Sequence, residues 1–131
     1  MRFAVDRLDH LVLTCRDLEA AAAWYERVLG MRRETFAEHR TALHFGNQKI
    51  NLHQQRAEVR PNAAAAAPGT ADLCFVTSLP LGDVIAHLGQ CRIAIEYGPV
   101  RQTGALGTMN SVYCRDPDGN LIEIATYLPE Q

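Results

Sequence analysis

Two side chains that could hold a metal ion lie in apolar segments near opposite ends of the chain. His10 lies in the largely apolar segment 8–13, and Glu123 lies within the apolar segment 121–125. A carboxylate in such a segment is costly to bury unless something pairs with it. Imidazole nitrogens and carboxylate oxygens bind divalent transition metals at about 2.0–2.2 Å. The two residues therefore indicate a metal site, which in an enzyme would keep one position open for water or substrate.

Further polar residues share the strand face that carries these two side chains. Strand side chains alternate between two faces, and pairs such as Ile50 with Leu52 and Ile122 with Ile124 mark the apolar face of each predicted strand. That face is expected to pack on a helix, and a sheet curled around the opposite face would enclose a cavity. The predicted polar face carries His10, His44, Asn51, His53, Asp72 and Glu123.

The elements that position these residues follow one order twice. In the first half, a strand at 8–15 precedes a helix at 18–29, with Asp17 as N-cap and Gly30 as C-cap, and strands at 32–37, 41–45 and 49–54. In the second half, a strand at 71–77 precedes a helix at 81–90 and strands at 93–96, 108–115 and 121–126. The glycines at 98, 104 and 107 and Pro99 predict a long loop.

This repeat predicts an α+β fold of two βαβββ modules that form a curled mixed sheet with a cleft. Segment 10–13 matches 72–75, and segment 50–52 matches 122–124. We expect a single domain over 1–131, with module one at about 7–55, a linker at about 56–69 and module two at about 70–127. The linker contains Pro61, Pro68 and a run of five alanines at 63–67, so a linker is favoured there over a short surface helix.

Composition restricts the class of protein. The 131 residues are 47% hydrophobic, with a net charge of −2 and a pI near 6.2, and they contain no basic block, which argues against nucleic acid as a partner. No segment is long and apolar enough for a signal peptide or a membrane span. The cysteines at 15, 74, 91 and 114 lack CxxC spacing, so we expect mostly buried thiols in a cytoplasmic protein.

The sequence resembles the vicinal oxygen chelate superfamily, which includes glyoxalase I, bleomycin-resistance proteins, fosfomycin-resistance enzymes and extradiol dioxygenases. The similarity extends from Leu8 to Tyr127 and is carried by segments 8–13, 17–18 and 24–31 and by the closing segment 115–123, Arg-Asp-Pro-Asp-Gly-Asn-Leu-Ile-Glu. Segments 47–53 and 71–75 are similar to a small branch with glyoxalase-like, dioxygenase-like or virulence-associated labels. The resemblance implies the glyoxalase-like fold, a homodimer and a metal in the cleft that is chelated by adjacent substrate oxygens.

Carried over by position, the family's ligands fall on His10, Asn51, Asp72 and Glu123. Asn51 and Asp72 depart from the better-known patterns, so the third ligand stays open among His53, Asp72 and Asn51. We favour His10, His53 and Glu123 as ligands of Zn, Ni, Fe or Mn, with Asp72 as a second-shell group or a catalytic base beside Glu123. The residues expected to line a substrate cleft are His44, Asn51, Tyr97 and Arg101. The last two lie with Thr103 in the predicted long loop, which is expected to close on substrate, while Arg115 is expected either to brace the turn or to lie in an interface.

Two classes of function follow. The favoured one is a metal-dependent enzyme on a small oxygenated molecule, a glyoxalase-like lyase or isomerase or an extradiol-like dioxygenase, in which the metal polarises vicinal oxygens. The alternative is a metal-free protein of the same fold that binds and sequesters a small molecule such as a drug. The presence of both His10 and Glu123 favours the enzyme. In both cases the partner is a small molecule, not nucleic acid or a membrane.

Overall fold

The computed structural model describes residues 1–129 and divides into two compact units, residues 1–67 and the part from Pro68 onward. The first unit consists of β1 (His10–Cys15), α1 (Leu18–Leu29), β2 (Arg32–Phe36), β3 (Arg40–Phe45) and β4 (Gln48–Gln54). The second consists of β5 (Asp72–Val76), α2 (Leu81–Gln90), β6 (Tyr97–Gly104), β7 (Gly107–Arg115) and β8 (Leu121–Tyr127). These elements confirm the predicted α+β fold of two βαβββ modules, with two four-stranded mixed sheets. The single-domain organisation stays a prediction.

The two sheets share one topology and one register. Their strand orders are β1-β4-β3-β2 and β5-β8-β7-β6, and in each sheet the first pair is parallel and the others are antiparallel. Leu11 pairs with Ile50 in the first sheet, and Leu73 pairs with Ile122 in the second. These are the equivalences predicted from the sequence repeat, so the internal symmetry is confirmed.

Helix α1 begins and ends at the predicted caps. The Asp17 side chain accepts a hydrogen bond from the Ala20 backbone N–H at 3.1 Å, and Gly30 ends the helix in the left-handed region at φ 66°. The Gln54 side chain secures the approach to the helix, because its Oε1 accepts from the Leu18 N–H at 2.9 Å. Its Nε2 donates to the Arg16 carbonyl at 2.6 Å.

Each helix packs on the apolar face of its own sheet. Helix α1 packs on the first sheet and buries Tyr25, whereas α2 packs on β7 and β8 and buries Leu88. The sheet residues beneath them include Leu43, Ile50, Val112 and Ile122, all fully buried. Because alternate strand residues point in opposite directions, this packing leaves the other face of each sheet for polar side chains. We call these the open face of the first sheet and the open face of the second sheet.

The turn at 116–120 is fastened by a buried carboxylate. Asp116 Oδ1 accepts from the backbone N–H groups of Asp118 and Asn120, each at 2.9 Å, and its Oδ2 accepts from Asn120 Nδ2 at 2.7 Å. Asn120 Oδ1 in turn accepts from the Ala71 N–H at 2.9 Å. The turn therefore ties the start of β8 to the residue before β5. Arg115 braces it as expected, donating to the Gly119 carbonyl at 3.1 Å.

One predicted strand and one predicted loop are wrong. Residues 93–96 are not a strand but the segment that leaves α2, where the Ile93 N–H donates to the Leu88 carbonyl at 2.9 Å. The predicted long loop is instead β6, with a register shift between Tyr97 and Val100, joined to β7 by a short turn. Pro99 is tolerated because β6 is the edge strand of its sheet. Gly98 is required there, because a Cβ would lie 2.6 Å from the Ser111 carbonyl oxygen.

Other predictions have mixed outcomes. Segment 56–69 contains turns and no helix, and its role as a linker stays a prediction. All four cysteines are thiols, but the expectation of mostly buried ones holds only for Cys15 and Cys114, since Cys91 is half-buried and Cys74 is exposed. Among residues 1–129, no helix is long and apolar enough to cross a membrane.

We predict that Asp116→Ala lowers the free energy of unfolding by about 2–4 kcal/mol, because it leaves several N–H groups of a buried turn without their acceptor. Denaturant titration followed by circular dichroism measures the change. Asp116→Asn keeps one acceptor oxygen and is expected to cost less. Equal stability of Asp116→Ala and the wild type would contradict the structural role of this carboxylate.

The turn between β2 and β3 is strained. Three consecutive residues without the freedom of glycine, Ala37, Glu38 and His39, have φ values of 41°, 54° and 75°. Each left-handed residue costs roughly 1 kcal/mol or more, because Cβ crowds the following carbonyl oxygen. His39 is exposed in this turn.

We predict that Glu38→Gly raises the free energy of unfolding by about 0.5–1 kcal/mol, because the relief of strain exceeds the entropy that glycine loses on folding. Glu38→Ala is the matched control, since it removes the same side chain and keeps the Cβ. Thermal unfolding compares the variants, and a glycine variant no more stable than the alanine variant would show that the turn holds no such strain.

Candidate functional site

Three rows of side chains cover the open face of the first sheet. The register aligns His10 with Lys49 and His44, then Val12 with Asn51 and Ala42, and then Thr14 with His53. Arg32, Glu34 and Phe36 continue these rows on the edge strand β2. The sequence prediction that His10, His44, Asn51 and His53 share a face therefore agrees with the register.

His10 is held by its neighbour in the chain. Its Nδ1 lies 2.8 Å from Asp9 Oδ2, and its side chain is 44% exposed. The hydrogen bond to His10 keeps the pKa of Asp9 below its usual range, so the carboxylate is ionised and accepts the Nδ1 proton. The neutral ring then carries its lone pair on Nε2, which is the atom that remains for a ligand.

Asn51 and His53 are buried polar residues that lack partners. Asn51 Oδ1 and both ring nitrogens of His53 are shielded from solvent and have no hydrogen-bond partner within residues 1–129. Burial lowers the pKa of His53, with a further contribution from the positive charge of Arg40 that the opposite charge of Glu58 only partly offsets. His53 is therefore neutral at pH 7 and offers one donor and one acceptor nitrogen.

The register separates His53 from His10. His53 pairs with Thr14, four residues along β1 from His10, and a strand rises about 3.3 Å per residue, so the offset along the sheet is ~13 Å. Asn51 pairs with Val12 and lies in the adjacent row of the same face. The first sheet thus places Asn51 one row from His10, and it does not bring together His10 and His53, the two histidines that the sequence favours as joint ligands.

His44 is engaged within the same face. Its Nε2 lies 2.8 Å from Glu34 Oε1, and this contact lowers the pKa of Glu34. His44 is therefore paired with a carboxylate rather than available as a free ring on that face.

Glu123 lies in the central row of the open face of the second sheet. It pairs with Cys74 on one side and Tyr113 on the other. Partial burial of each side chain and the negative charge of Glu123 raise both pKa values, that of the Cys74 thiol to about 11. Glu123 Oε2 is buried without a hydrogen-bond partner within residues 1–129. Gln102 Nε2 donates to the Tyr113 hydroxyl at 3.0 Å, which orients the phenol.

A cleft of about 330 Å³ opens beside this carboxylate within the second unit. Val76, Met109 and Tyr127 form its apolar part, and Gln102, Tyr113 and Glu123 form its polar part. Such a mixture of apolar walls with a few converging polar groups is typical of small-molecule sites.

The remaining predicted site residues have the following positions. Asp72 is exposed at the start of β5, one same-face row from Cys74, which pairs with Glu123. The loop assignment of Tyr97, Arg101 and Thr103 is wrong, because all three lie on β6. Tyr97 contacts Tyr113, with ring centroids 5.7 Å apart. Arg101 pairs with Asn110, so alternation places it on the face opposite Gln102.

Sequence reasoning missed Tyr113, Cys74, Gln102 and Arg40. Tyr113 and Cys74 follow from the register, because each is the direct neighbour of Glu123 across a strand. Their alternation with apolar residues was readable in the sequence, but the pairing partners were not. Among the described residues, no group of three or more His, Cys, Asp or Glu side chains is assembled as a metal site.

We predict that Cys74 reacts slowly with iodoacetamide at pH 8, because a pKa of about 11 leaves little thiolate. The rate is expected to rise about 10-fold per pH unit towards that pKa. Glu123→Gln removes the nearby negative charge, lowers the thiol pKa and speeds alkylation at pH 8. Peptide mapping by mass spectrometry measures the rate. Glu96→Gln is the control, and the environment described for Cys74 is refuted if Glu123→Gln reacts no faster than this control.

Relatives of known name cover nearly all of the chain. It is 52% identical over 98% of its length to the virulence protein STM3117 of Salmonella typhimurium, of which it covers 89%. The crystal structure of that protein matches with a TM-score of 0.95, over 96% of this chain and 100% of that one. The glyoxalase domain-containing protein RDO1 of Mycosarcoma maydis is 47% identical over 96% of this chain and 71% of its own.

More distant structures share the fold. A lactoylglutathione lyase from Agrobacterium tumefaciens matches with a TM-score of 0.72 at 24% identity, over 94% of this chain and 95% of that one. The antibiotic-binding protein TnmS3 from Streptomyces matches with a TM-score of 0.75 at 17% identity, over 97% of this chain and 100% of that one. The model of the Glyoxalase/Bleomycin resistance protein/Dioxygenase superfamily matches residues 7–124. With its paired βαβββ modules, the chain belongs to this superfamily.

Proposed function

We propose that the protein is a metal-dependent enzyme that acts on a small oxygenated molecule, with His10 and Glu123 as ligands of a divalent ion. The reaction class is that of a glyoxalase-like lyase or isomerase, or of an extradiol-like dioxygenase. Membership of the superfamily supports this class of activity, and the 330 Å³ cleft beside Glu123 has the size of a small-molecule site. The observation that carries the proposal is the unpartnered, buried Oε2 of Glu123.

His10 has a carboxylate partner on one ring nitrogen, as metal-binding histidines usually do. A carboxylate on one ring nitrogen fixes the tautomer and directs the lone pair of the other nitrogen at the ion. Asp9 occupies this position, 2.8 Å from Nδ1. His10 would therefore bind through Nε2.

Glu123 is held for a similar role. Tyr113 and Cys74 flank it on the neighbouring strands, and Gln102 Nε2 donates a hydrogen bond that orients the Tyr113 phenol. A buried carboxylate oxygen that lacks a partner is costly, so a cation at Oε2 would remove that cost. The raised pKa keeps Tyr113 protonated at neutral pH. It can therefore donate a hydrogen bond to the ligating carboxylate or to a substrate oxygen.

The third donor is chosen among Asn51, Asp72 and His53. Asn51 has a buried, unpartnered Oδ1 in the row next to His10, which favours it over His53. Asp72 is exposed and is better suited to accept a proton from substrate, the role proposed for it as a base. A divalent ion bound by this set supplies Lewis-acid polarisation of vicinal substrate oxygens.

We predict that untagged wild-type protein purifies with, or can be loaded with, close to one equivalent of Zn, Ni, Fe or Mn, and that His10→Ala and Glu123→Gln each lose at least 10-fold of the affinity. Elemental analysis and competition with a chelator measure this. His39→Ala and His87→Ala, which alter exposed histidines, are the matched controls.

The same measurements on Asn51→Ala, Asp72→Ala and His53→Ala assign the third donor. Equal metal binding by wild type, His10→Ala and Glu123→Gln would overturn the metal site. A metal-free binding protein, the alternative function, would then remain.

A further inference from the structure

Arg40 is a half-buried cation that lacks an anionic partner. By contrast, Arg33 is paired with Glu19 at 2.6 Å and Arg115 with Glu96 at 2.9 Å. Within residues 1–129, the Arg40 guanidinium has no ion pair or hydrogen bond, and its contact is with the Phe36 ring, 5.0 Å from the centroid. A partly desolvated guanidinium with five unused donors is suited to a carboxylate or phosphate group.

A second cation lies on the same ring. Lys49 Nζ is 4.0 Å from the Phe36 centroid, so two positive charges from the open face of the first sheet approach one aromatic side chain. Lys49 also lies near Asp9 and Glu34, whose pKa values it helps to lower. Arg40 is thus the cation of the pair that is left without a carboxylate.

His53 lies opposite Arg40 and also lacks partners. The antiparallel register pairs Thr41 with Leu52, which sets Arg40 across from His53 in the next row. The electrostatic influence of Arg40 on His53 agrees with this proximity. His53 is 6% exposed, with both ring nitrogens unpartnered, although Glu58 is also close enough to affect its pKa. The Arg40 guanidinium and the His53 imidazole are therefore adjacent on one face, and both lack hydrogen-bond partners within residues 1–129. The guanidinium also carries a full positive charge.

We propose that Arg40 and His53 form an anion-binding subsite that takes a carboxylate or phosphate group of the ligand, with Lys49 adding positive charge from across Phe36. The Arg40 guanidinium donates its paired N–H groups to the anion, and the neutral His53 imidazole on the adjacent strand donates one N–H. The subsite lies about 13 Å along the sheet from His10, so it would bind a part of the substrate remote from the proposed metal. It specifies the substrate of the proposed function as an acid rather than a neutral compound.

The subsite can be tested on metal-free protein with inorganic phosphate and with acetate, using sodium chloride at equal ionic strength as the reference. The probe is the imidazole resonance of His53 in the NMR spectrum, assigned by its loss in His53→Gln. A saturable shift is expected with phosphate, acetate or both, and the stronger of the two identifies the type of anionic group. A shift that grows linearly with any salt, chloride included, would overturn the proposal.

Variants separate the subsite from general electrostatics. Arg40→Met is expected to raise the Kd by about 10-fold or more, because it removes charge-assisted hydrogen bonds to the anion. Arg40→Lys keeps the positive charge but not the two parallel N–H donors of the guanidinium, so its Kd is expected to lie between those of the wild type and Arg40→Met. Arg32→Met is the matched control, because it removes a cation from the same face, on the edge strand. Equal effects of Arg32→Met and Arg40→Met would refute a specific role for Arg40.

The outcome is independent of the metal proposal. The anion titration uses metal-free protein, and Arg40 and His53 themselves supply the proposed donors. If Arg40→Met weakens anion binding while metal binding proves absent, the subsite stands and the metal site falls. If metal binds as proposed but Arg40→Met leaves anion binding unchanged, the subsite is rejected and the metal site stands.

Discussion

The position of Glu123 depends on the buried carboxylate of Asp116. Asp116 accepts the N–H groups that close the turn and holds the Asn120 side chain, and Asn120 holds the backbone at Ala71. Gly69 packs closely against the turn, since a Cβ at that residue would lie 2.7 Å from the Asp118 carbonyl oxygen. These contacts fix the parallel register of β5 and β8. Because a slip of one residue would move Glu123 to the helix-packed face, the chemistry of this sheet depends on the turn.

Most of the fold could be read from the sequence because its local signals agree with its packing. Both helices have the predicted bounds, since apolar periodicity coincides with an acidic N-cap and a glycine C-cap in α1 and with a proline before α2. The exception is β6. Its glycines and Pro99 resemble a loop in composition, yet edge position and a close backbone approach at Gly98 allow them in a strand. Tertiary context thus reversed a local signal.

The site was predictable only in part, because alternation gives faces but not neighbours. The polar face of His10, His44, Asn51 and His53 followed from period-two spacing. The choice between Asn51 and His53 beside His10 depended on the parallel register of β1 with β4, which no local pattern encodes. Tyr113 and Arg40 were missed for the same reason, since each owes its importance to a residue on another strand.

The equivalent ladder positions of the two modules differ in size and polarity. Asn51 faces Ala42 in the first sheet, and Glu123 faces Tyr113 at the same place in the second. The same backbone position therefore carries two different pairs of side chains, an alanine methyl beside an amide in the first sheet and a phenol beside a carboxylate in the second. One position presented twice can thus carry an ionisable pair in one copy and a neutral pair in the other. The two modules differ at this paired position while their strand order and register stay the same. Substitution of the side chains at one such pair can therefore change the ligand without changing the fold.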